Sequence, residues 1–584
     1  MRWHGSRRYP TAPGRASRGA DSRCRPPDIR RVSTWPSREW TMRSRSSIPG
    51  PSAPARSLTP EISSSSADGL LPAQLAGRLS LDRAAARELA SRLWRWRYFD
   101  RAALGLLVTS ITALNLLWLS KEPRPPHWDM ARHLGDSLIY LNTFQLSHPL
   151  LPIETYTYYP PFTYWVTDLF YAFLGTGLWV AILSNAVFIA ILAFASYGIG
   201  KSLWNRRIGL LSAIFVLTTP VMVSNFKEYM LDAPLTAMVA LGLYLLIRTE
   251  SFSRRRPSVL FGAACGLGLL TKWTFPFFLA LPLVASGVAA LGPAIRRRSL
   301  VPLQNLGAAA VVGFLICGYW YLHNRGQLSH DASLYSGLAV YKGLPHVASV
   351  SSLLWYFWTL LNYQLYAGPF VLFVIGMVLV FRRNDSAMRN LQPVLLILGT
   401  YVAFALQYNK DVRYTLPMLP AVGVVAISWT EYLKPRARRW LTGAIAAYGV
   451  VAFLAISFGT SLLPKDVTLG TGGTSPGVTF FAQHGYIIGP PSGERWYQDE
   501  VFRQIAHQRG RPTFWYEGPD SIWFNTWGIR YYSLRYHDLW VASPAQANFI
   551  VSRGRFAPPL KGAYVLIRHY PLPDGEALGL YERI

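Results

Sequence analysis

The stretch WVAILSNAVFIAILAFASYGIG, residues 179–200, runs for 22 consecutive residues without a charge. Lys201 follows it directly, and Arg206 and Arg207 come soon after. A hydrocarbon core about 30 Å thick needs roughly 20 apolar residues in an α-helix to cross it. We therefore interpret residues 179–200 as a transmembrane helix with a basic flank.

Apolar runs of the same kind recur between residues 102 and 460. Charged residues make up only 15% of the 584 residues and hydrophobic residues 51%, whereas typical soluble proteins have about 25% charged residues. One run, 162–177, is short and contains Asp168, so we expect it to be a juxtamembrane helix. The predicted fold class is a polytopic α-helical membrane protein with about eleven transmembrane helices. Their predicted positions are 102–119, 179–200, 208–224, 233–247, 258–271, 274–292, 303–322, 367–381, 391–408, 414–430 and 440–460.

The net charge of +28 is concentrated in the N-terminus and in short clusters between apolar runs. A soluble protein with this balance would suggest a nucleic-acid partner, but the clusters here flank membrane spans. With the spans threaded as above, every dense cluster falls on one side, which the positive-inside rule identifies as the cytoplasm. We expect a multi-pass protein of the inner (plasma) membrane, with the lipid bilayer and no nucleic acid as partner. The clusters are 206–207, 254–256, 296–298, 382–383 and 434–439.

The N-terminal region differs in composition from the rest of the chain. Residues 1–65 are rich in Arg, Pro, Ser and Gly and show no apolar periodicity, which predicts disorder. They are either a basic cytoplasmic arm or the product of a start codon placed too early, with Met42 as one later start. Residues 66–101 are expected to be an interfacial or cytoplasmic segment, with an amphipathic helix at 80–95.

The C-terminal region, residues 461–584, follows the transmembrane domain of residues 102–460. It carries twelve basic and ten acidic residues, so it is close to neutral. Residues 548–551 and 562–568 have the composition of strands, and residues 497–508 that of a helix. The sequence therefore predicts a small soluble α/β domain, which the threading places outside the cell membrane.

Polar side chains gather at span ends and loops on the predicted non-cytoplasmic side, including the loop 121–161. Charges at membrane depth cost about 2.5–3.5 kcal/mol each on insertion scales, so they often mark a site; the alternative is that each lies at the interface with its polar end in water. Cations suit a phosphate, and carboxylates suit a general base or a metal ion. The candidates are Trp128, Asp129, Arg132, Asp136, Tyr159, Glu228, Asp232, Lys272, His323, Arg325, His330, Lys410 and Arg413.

Four short motifs within about residues 100–430 carry a family resemblance. They are Trp128-Asp-Met-Ala-Arg, Tyr159-Pro-Pro-Phe, Leu231-Asp-Ala-Pro-Leu together with Gly266-Leu-Gly-Leu-Leu-Thr-Lys, and Lys410-Asp-Val-Arg-Tyr-Thr-Leu-Pro. In this order the chain resembles the polytopic GT-C glycosyltransferases. The nearest groups are the dolichyl-phosphate-mannose-protein mannosyltransferases, the lipid A aminoarabinose transferases and the lipopolysaccharide-core galacturonic acid transferases.

The resemblance implies an inverting transfer of a hexose or pentose from a polyprenyl-phosphate donor. The acceptor would be an extracytoplasmic hydroxyl on a glycan, a lipid or a protein, and Asp129 would be the general base. The residues that the resemblance assigns to the donor phosphate are Lys272, Arg325, Lys410 and Arg413. The expected secondary acids are Asp136, Glu228 and Asp232, and the expected loop contacts are Trp128, Arg132 and Tyr159.

The chain departs from the family pattern at two positions. The family often has two adjacent acids in the first loop, but Met130 follows Asp129 here, so Asp129 acts alone or with Asp136. The aminoarabinose transferases have an acid and a lysine just before the juxtamembrane proline, where this chain has Tyr159 and Pro160. This weakens any metal site taken from them. A divalent metal is left open, with His323 and His330 as candidate ligands.

The alternative function is a transporter or flippase for polyprenyl-linked glycans. Such proteins place polar groups near the bilayer midplane on broken helices and often contain inverted repeats. This sequence has no evident repeat, and its charges stand at span ends on one predicted face. The pattern therefore favours the glycosyltransferase.

Overall fold

The computed structural model describes residues 98–145, 147–297, 299–331, 344–484, 488–508, 512–536, 543–554 and 563–584. The expectations for residues 1–65 and for the helix at 80–95 lie outside the described residues, as does nearly all of the segment 66–101.

The part of the chain before residue 460 is helical. Its helices are α1 (Phe99–Leu119), α2 (Trp128–Leu141), α3 (Leu151–Glu154), α4 (Phe162–Leu174), α5 (Leu178–Leu203), α6 (Arg206–Leu217), α7 (Pro220–Asn225), α8 (Asp232–Thr249), α9 (Arg255–Thr271), α10 (Pro276–Arg297), α11 (Val301–His323), α12 (Val350–Thr359), α13 (Ala367–Arg382), α14 (Asn384–Ala405), α15 (Leu419–Ser428) and α16 (Pro435–Phe458).

Helices occupy all eleven predicted span positions, but they differ in length. Among the described residues, six helices are long and apolar enough to cross a membrane by themselves: α1, α5, α8, α10 over residues 276–293, α11 and α16. Helix α13 is a shorter apolar helix. The chain is thus a multi-pass membrane protein, as expected, and α4 is short, as expected for a juxtamembrane helix.

Two predicted spans are broken, and the helices α2, α3 and α12, which lie between predicted spans, were not predicted. The span 208–224 is divided into α6 and α7, because Pro220 lacks an N–H and cannot continue a helix. The span 414–430 consists of α15 flanked by two short 3₁₀ helices. Helix α12, which continues as a π-helix over Leu360–Leu365, lies between the predicted spans 303–322 and 367–381.

Glycines bring neighbouring helices into backbone contact. A Cβ on Gly262 of α9 would lie 2.1 Å from the carbonyl oxygen of Ala309 in α11. A Cβ on Gly200 of α5 would lie 2.8 Å from the Cα of Gly209 in α6. Small residues at crossings are the usual way for membrane helices to pack closely, because lipid supplies no hydrophobic drive between them.

The C-terminal region is an α/β domain, as predicted. Its elements are β1 (Asp466–Gly470), β2 (Gly477–Ala482), α17 (Gln498–Ala506), β3 (Phe514–Glu517), α18 (Thr526–Arg535), β4 (Phe549–Arg553), β5 (Tyr564–Pro571) and β6 (Ala577–Arg583). Strands β1 and β2 form an antiparallel pair. The other four form a sheet in the order β3-β4-β6-β5, in which only β3 and β4 are parallel, with Phe514 opposite Phe549.

The C-terminal domain packs directly on the first loop. Leu134 and Leu138 of α2 share an apolar core with Tyr531 of α18 and Phe549 of β4. At Gly135 the two helices come so close that an added Cβ would lie 3.9 Å from the Cα of Tyr531. The first-loop helix is therefore held between the membrane helices and this domain.

Candidate active site

Four charged residues from distant parts of the chain meet at one group of helix ends. Asp129 lies in the first turn of α2, and Asp232 begins α8. Lys272 directly follows α9, and Arg413 lies in the turn that leads from α14 toward α15. A carboxylate in the first turn of a helix is stabilised by the positive end of the helix dipole, which favours both aspartates where they stand.

Arg413 is the centre of this cluster. Its Nη2 donates to Oδ2 of Asp129 at 2.9 Å and to Oδ2 of Asp411 at 2.9 Å. Its Nε donates to Oδ1 of Asp411 at 3.0 Å, and its Nη1 lies 3.9 Å from Oδ2 of Asp232. Lys272 donates from Nζ to Oδ1 of Asp232 at 2.8 Å. Asp129, Asp232, Lys272, Asp411 and Arg413 thus form one network, which we call the charge cluster.

Asp129 is the accessible member of the charge cluster. Its side chain is 45% exposed, while those of Arg413, Lys272 and Asp232 are 10%, 9% and 5% exposed. A buried charge is stable only when it is paired, and each buried member has its partner inside the cluster. The geometry therefore offers one partly exposed carboxylate, held in place by a buried cation.

The electrostatics keep Asp129 ionised. Burial alone would raise its pKa, but Arg413, with a smaller effect from His133, lowers the pKa to about 2. Burial lowers the pKa of His133 itself to about 3, so this ring is neutral at physiological pH. Burial would likewise raise the pKa of Asp411, and Arg413 outweighs it to bring the pKa below its usual value.

Aromatic side chains border the charge cluster. The Lys272 ammonium lies 5.5 Å from the ring centroid of Tyr159 and 5.9 Å from that of Tyr414. One turn beyond Asp129, the Arg132 guanidinium lies 5.0 Å from the ring of Tyr158 and 4.8 Å from that of Trp527, which belongs to α18. Such cation–π contacts hold the charged groups in defined directions, and the C-terminal domain supplies part of the wall.

Part of the chain matches a known protein family. Residues 159–321, which include Tyr159, Asp232 and Lys272, match the family model of dolichyl-phosphate-mannose-protein mannosyltransferases. No curated protein sequence matches the chain. The crystal structure of ArnT from Cupriavidus metallidurans in the apo state is similar with a TM-score of 0.53 at 15% identity, covering 81% of this chain and 97% of ArnT.

The structure of the same ArnT bound to undecaprenyl phosphate has a TM-score of 0.51, with 15% identity and the same coverage. This chain has the GT-C glycosyltransferase fold. The expected resemblance to the GT-C fold is confirmed, and the expected classification as a membrane glycosyltransferase agrees with the family model that matches residues 159–321.

Several predicted residues of this GT-C chain lie outside the charge cluster. The Lys410 ammonium donates to the backbone carbonyls of Phe404 at 3.3 Å and Ala405 at 2.9 Å, so its hydrogen bonds go to the end of α14. Buried Glu228 faces His127, whose Nε2 lies 3.6 Å from the carboxylate. Buried Asp136 lies 3.9 Å from Nε of Arg132.

Other predicted residues of the GT-C chain are surface groups. Trp128 is partly exposed, and its backbone N–H donates to the carbonyl of Ile522 in the C-terminal domain at 3.2 Å. Arg325, His323 and His330 are exposed near the end of α11, and His323 stacks on Tyr319 with 5.8 Å between ring centroids. In the described part of the chain, no group of three or more His, Cys, Asp or Glu side chains is positioned to hold a metal ion.

Asp411, His133 and Trp527 belong to the site and were not predicted. The sequence carried a signal for Asp411, because it stands two residues before Arg413. In the structure its Oδ1 accepts a hydrogen bond from the backbone N–H of Arg413 at 2.9 Å. Trp527 had none, because only the packing of α18 on α2 brings it to Arg132.

Proposed function

We propose that this GT-C glycosyltransferase moves a sugar from a polyprenyl-phosphate donor to an acceptor hydroxyl, with Asp129 as the general base. The observation that carries this is the ion pair between Asp129 and Arg413, in which a partly exposed carboxylate is held by a buried guanidinium. ArnT, which shares the fold, has been solved with undecaprenyl phosphate bound, and this supports a lipid phosphate as the donor's carrier.

The reaction is a single displacement at the anomeric carbon of the donor sugar. The acceptor oxygen forms the new bond to that carbon while its proton passes to Asp129. The bond between the carbon and the phosphate oxygen breaks, and the polyprenyl phosphate leaves with the bonding electrons. Lys272 and Arg413 stabilise the negative charge that develops on the leaving phosphate. The anomeric configuration inverts because the attack comes from the face opposite the leaving group.

The balance of charges in the charge cluster indicates how the donor phosphate binds there. The three carboxylates of Asp129, Asp232 and Asp411 outnumber the two cations of Lys272 and Arg413. A phosphate added to this set would meet a net negative charge. The phosphate binds favourably only if one carboxylate releases its hydrogen bond to a cation. Asp129 is the most exposed of the three carboxylates. The donor phosphate therefore takes the Nη2 donor of Arg413 from Asp129.

This exchange also prepares the base. A carboxylate whose pKa is held at about 2 accepts a proton poorly. Once the Arg413 charge is shared with the phosphate, the pKa of Asp129 rises, because an opposite charge is withdrawn and a like charge arrives. The base becomes effective when the donor is bound, and this limits proton transfer to the loaded enzyme.

The other predicted residues have supporting roles in this proposal. Asp411 and Asp232 orient Arg413 and Lys272, and Lys410 holds the turn that carries Asp411 by capping the end of α14. Arg325 is retained as a peripheral contact for the donor, because it is exposed and cationic.

The location in the inner membrane, with the charge cluster and the C-terminal domain on the extracytoplasmic face, is likewise proposed. The positions of the arginine clusters support it through the positive-inside rule. On that face the acceptor is a hydroxyl of an envelope glycan, a glycolipid or a protein.

A deletion strain tests the function without knowledge of the sugar. The wild-type gene should restore the mass of the envelope glycan or glycolipid that changes in the deletion, and Asp129→Asn should not. Asp385→Asn, which alters an exposed carboxylate at the start of α14, is the matched control and should restore it. In parallel, purified wild-type protein added to membranes of the deletion strain, which supply both the lipid-linked sugars and the acceptor, should release free polyprenyl phosphate. Movement of intact lipid-linked sugar without any release would instead support the transporter.

A further inference from the structure

A second polar cavity lies between α1, α5 and α8, away from the charge cluster. Its volume is about 660 Å³, and its lining includes Arg101, Lys201, Arg248, Asp100, Tyr244 and Phe194. Helix α8 runs from the charge cluster to the cavity, because it begins at Asp232 and carries Arg248 near its other end. Sixteen residues of α-helix span about 24 Å, so the cavity and the charge cluster lie close to opposite faces of the hydrocarbon core.

The cavity has an excess of positive charge. Among the described residues that line it, the acid is Asp100, which is already paired because Arg206 and the Tyr197 hydroxyl both donate to its carboxylate. The Lys201 ammonium donates to the Tyr197 hydroxyl at 2.9 Å and lies 3.9 Å from Asp100. Arg101 and Arg248 are exposed at the rim. The lining therefore presents three cations to any molecule that enters, against one neutralised carboxylate.

One wall of the cavity is apolar, and its residues are closely packed. The ring of Tyr244 packs across Gly198, where an added Cβ would lie 2.5 Å from a ring carbon. Phe194 meets Tyr244 edge to face at 5.5 Å and is 50% exposed on the outer surface of α5. Leu104 of α1 completes this wall. Cations at the helix ends and apolar groups one or two turns deeper match a molecule with a charged head and a hydrocarbon tail.

We propose that this cavity binds the phosphate group of an anionic lipid in the leaflet opposite the charge cluster. Basic pockets between transmembrane helices are a recognised form of lipid headgroup site, and each nearby Lys or Arg adds about 1 kcal/mol. The head would lie among Arg101, Lys201 and Arg248, and a chain would run along Leu104 and Phe194. The proposal is independent of the transferase activity. The same phosphate chemistry is offered by bulk phospholipid and by a polyprenyl phosphate.

Native mass spectrometry of the purified full chain tests this site. The wild type in detergent should retain phosphatidylglycerol, undecaprenyl phosphate or both in preference to phosphatidylcholine. Arg248→Gln should weaken retention about fivefold, and Arg248→Gln with Arg101→Gln about 25-fold, since each removes a cation. Neither variant touches the paired Asp100 network. Arg382→Gln, which removes an exposed arginine at the end of α13, is the matched control and should retain lipid as the wild type does.

The two anionic lipids identify the source of the phosphate. Because the charge cluster is itself proposed to bind undecaprenyl phosphate, retention of this lipid is compared in the Lys272→Gln background, where that site is weakened. There, loss of only phosphatidylglycerol in the double variant would assign the cavity to bulk anionic phospholipid, and loss of only undecaprenyl phosphate would assign it to the carrier lipid. Equal retention by the wild type and the double variant would overturn the site. Because Asp129→Asn leaves this cavity unchanged, it should retain these lipids here even where it fails to transfer sugar.

Discussion

The Nη2 atom of Arg413 lies 2.9 Å from Oδ2 of Asp129, although the two residues are 284 positions apart in the chain. Arg413 is also held by Asp411 from the same turn, so it stays in place when it changes its other partner. In the proposed function, this arrangement lets one guanidinium pair with Asp129 when no donor is bound and with the phosphate when the donor is bound.

Asp129→Asn should separate chemistry from binding. Loss of a positioned base should lower kcat by about 10²–10⁴-fold. Undecaprenyl phosphate should bind as tightly as to the wild type or more tightly, because the amide competes less well than a carboxylate for Arg413. Turnover of the purified variant and titration with undecaprenyl phosphate measure the two effects. Near-normal turnover would remove Asp129 from the role of base.

The acid limbs of the two kinetic pH profiles should differ. The profile of kcat/KM reports the free enzyme and that of kcat the loaded enzyme. Asp129 acts when ionised, so each rate falls as pH drops below its pKa. In the free enzyme that pKa is about 2, and donor binding raises it. The fall in kcat should therefore occur at higher pH than the fall in kcat/KM. Coincident limbs would show that Arg413 keeps its partner, and thermal stability over the same range controls for unfolding.

Substitution of Lys272 and substitution of Lys410 should have different effects, although both lysines belong to the family motifs. Lys272→Gln removes a charged donor from the charge cluster and should weaken undecaprenyl phosphate binding by about 10–100-fold, the usual worth of one charged hydrogen bond. Lys410→Gln removes a cap from the end of α14. It should lower the thermal stability with a much smaller effect on binding. An equal loss of affinity in the two variants would contradict the assignment of Lys410 to the turn.

Asp136→Asn should change how stability depends on pH. Burial raises the pKa of Asp136 from 3.8 to about 7, against the opposing effect of Arg132. Because the folded state holds this proton more tightly than the unfolded state, the stabilisation is complete below pH 4 and is lost as pH rises through 7. It amounts to about 4 kcal/mol at most. The variant should therefore lose less thermal stability than the wild type between pH 5 and pH 8. Parallel curves of thermal stability against pH for the variant and the wild type would show that Asp136 is ionised throughout. The control is Asp385→Asn, which changes an exposed residue and should follow the wild type.

Single-cysteine labelling should establish the topology. In a background lacking Cys24, Cys265 and Cys317, cysteines near residues 129, 411 and 520 should react with an impermeant reagent added outside. Cysteines near 297 and 382 should be protected, because the arginine clusters are expected in the cytoplasm. The reverse pattern would invert the proposed orientation. Labelling of 129 and 411 from different sides would contradict a shared site.

The fold was largely predictable because its signals are local. An apolar run long enough to cross a bilayer forms a helix whatever its neighbours are, since lipid leaves the backbone no other partner for its hydrogen bonds. The strands and the helix predicted in the C-terminal region were recognisable because residue composition is also a local signal. Helix α12 was missed because its 10 residues are too few for a membrane span, and the break at Pro220 was missed because the apolar run continues through it.

The candidate site was only partly predictable. Asp129, Asp232, Lys272 and Arg413 were found because charged groups at span ends are costly without a function. The same criterion included Lys410 and Glu228, which the structure directs to a helix end and to His127. A charge at a span end reveals that it needs a partner, but not which partner it has.

The sequence by itself determined the multi-spanning helical architecture, the C-terminal α/β domain and four of the five charged residues of the charge cluster. These follow from hydrophobicity, helix length and the cost of charge in lipid, which act over a few residues. Only the tertiary structure decided that Arg413 stands between Asp129 and Asp411, and that α18 brings Trp527 to Arg132. The contacts of Arg413 with Asp129 and of Trp527 with Arg132 join segments more than a hundred residues apart, and they depend on side-chain packing between helices that no local pattern encodes.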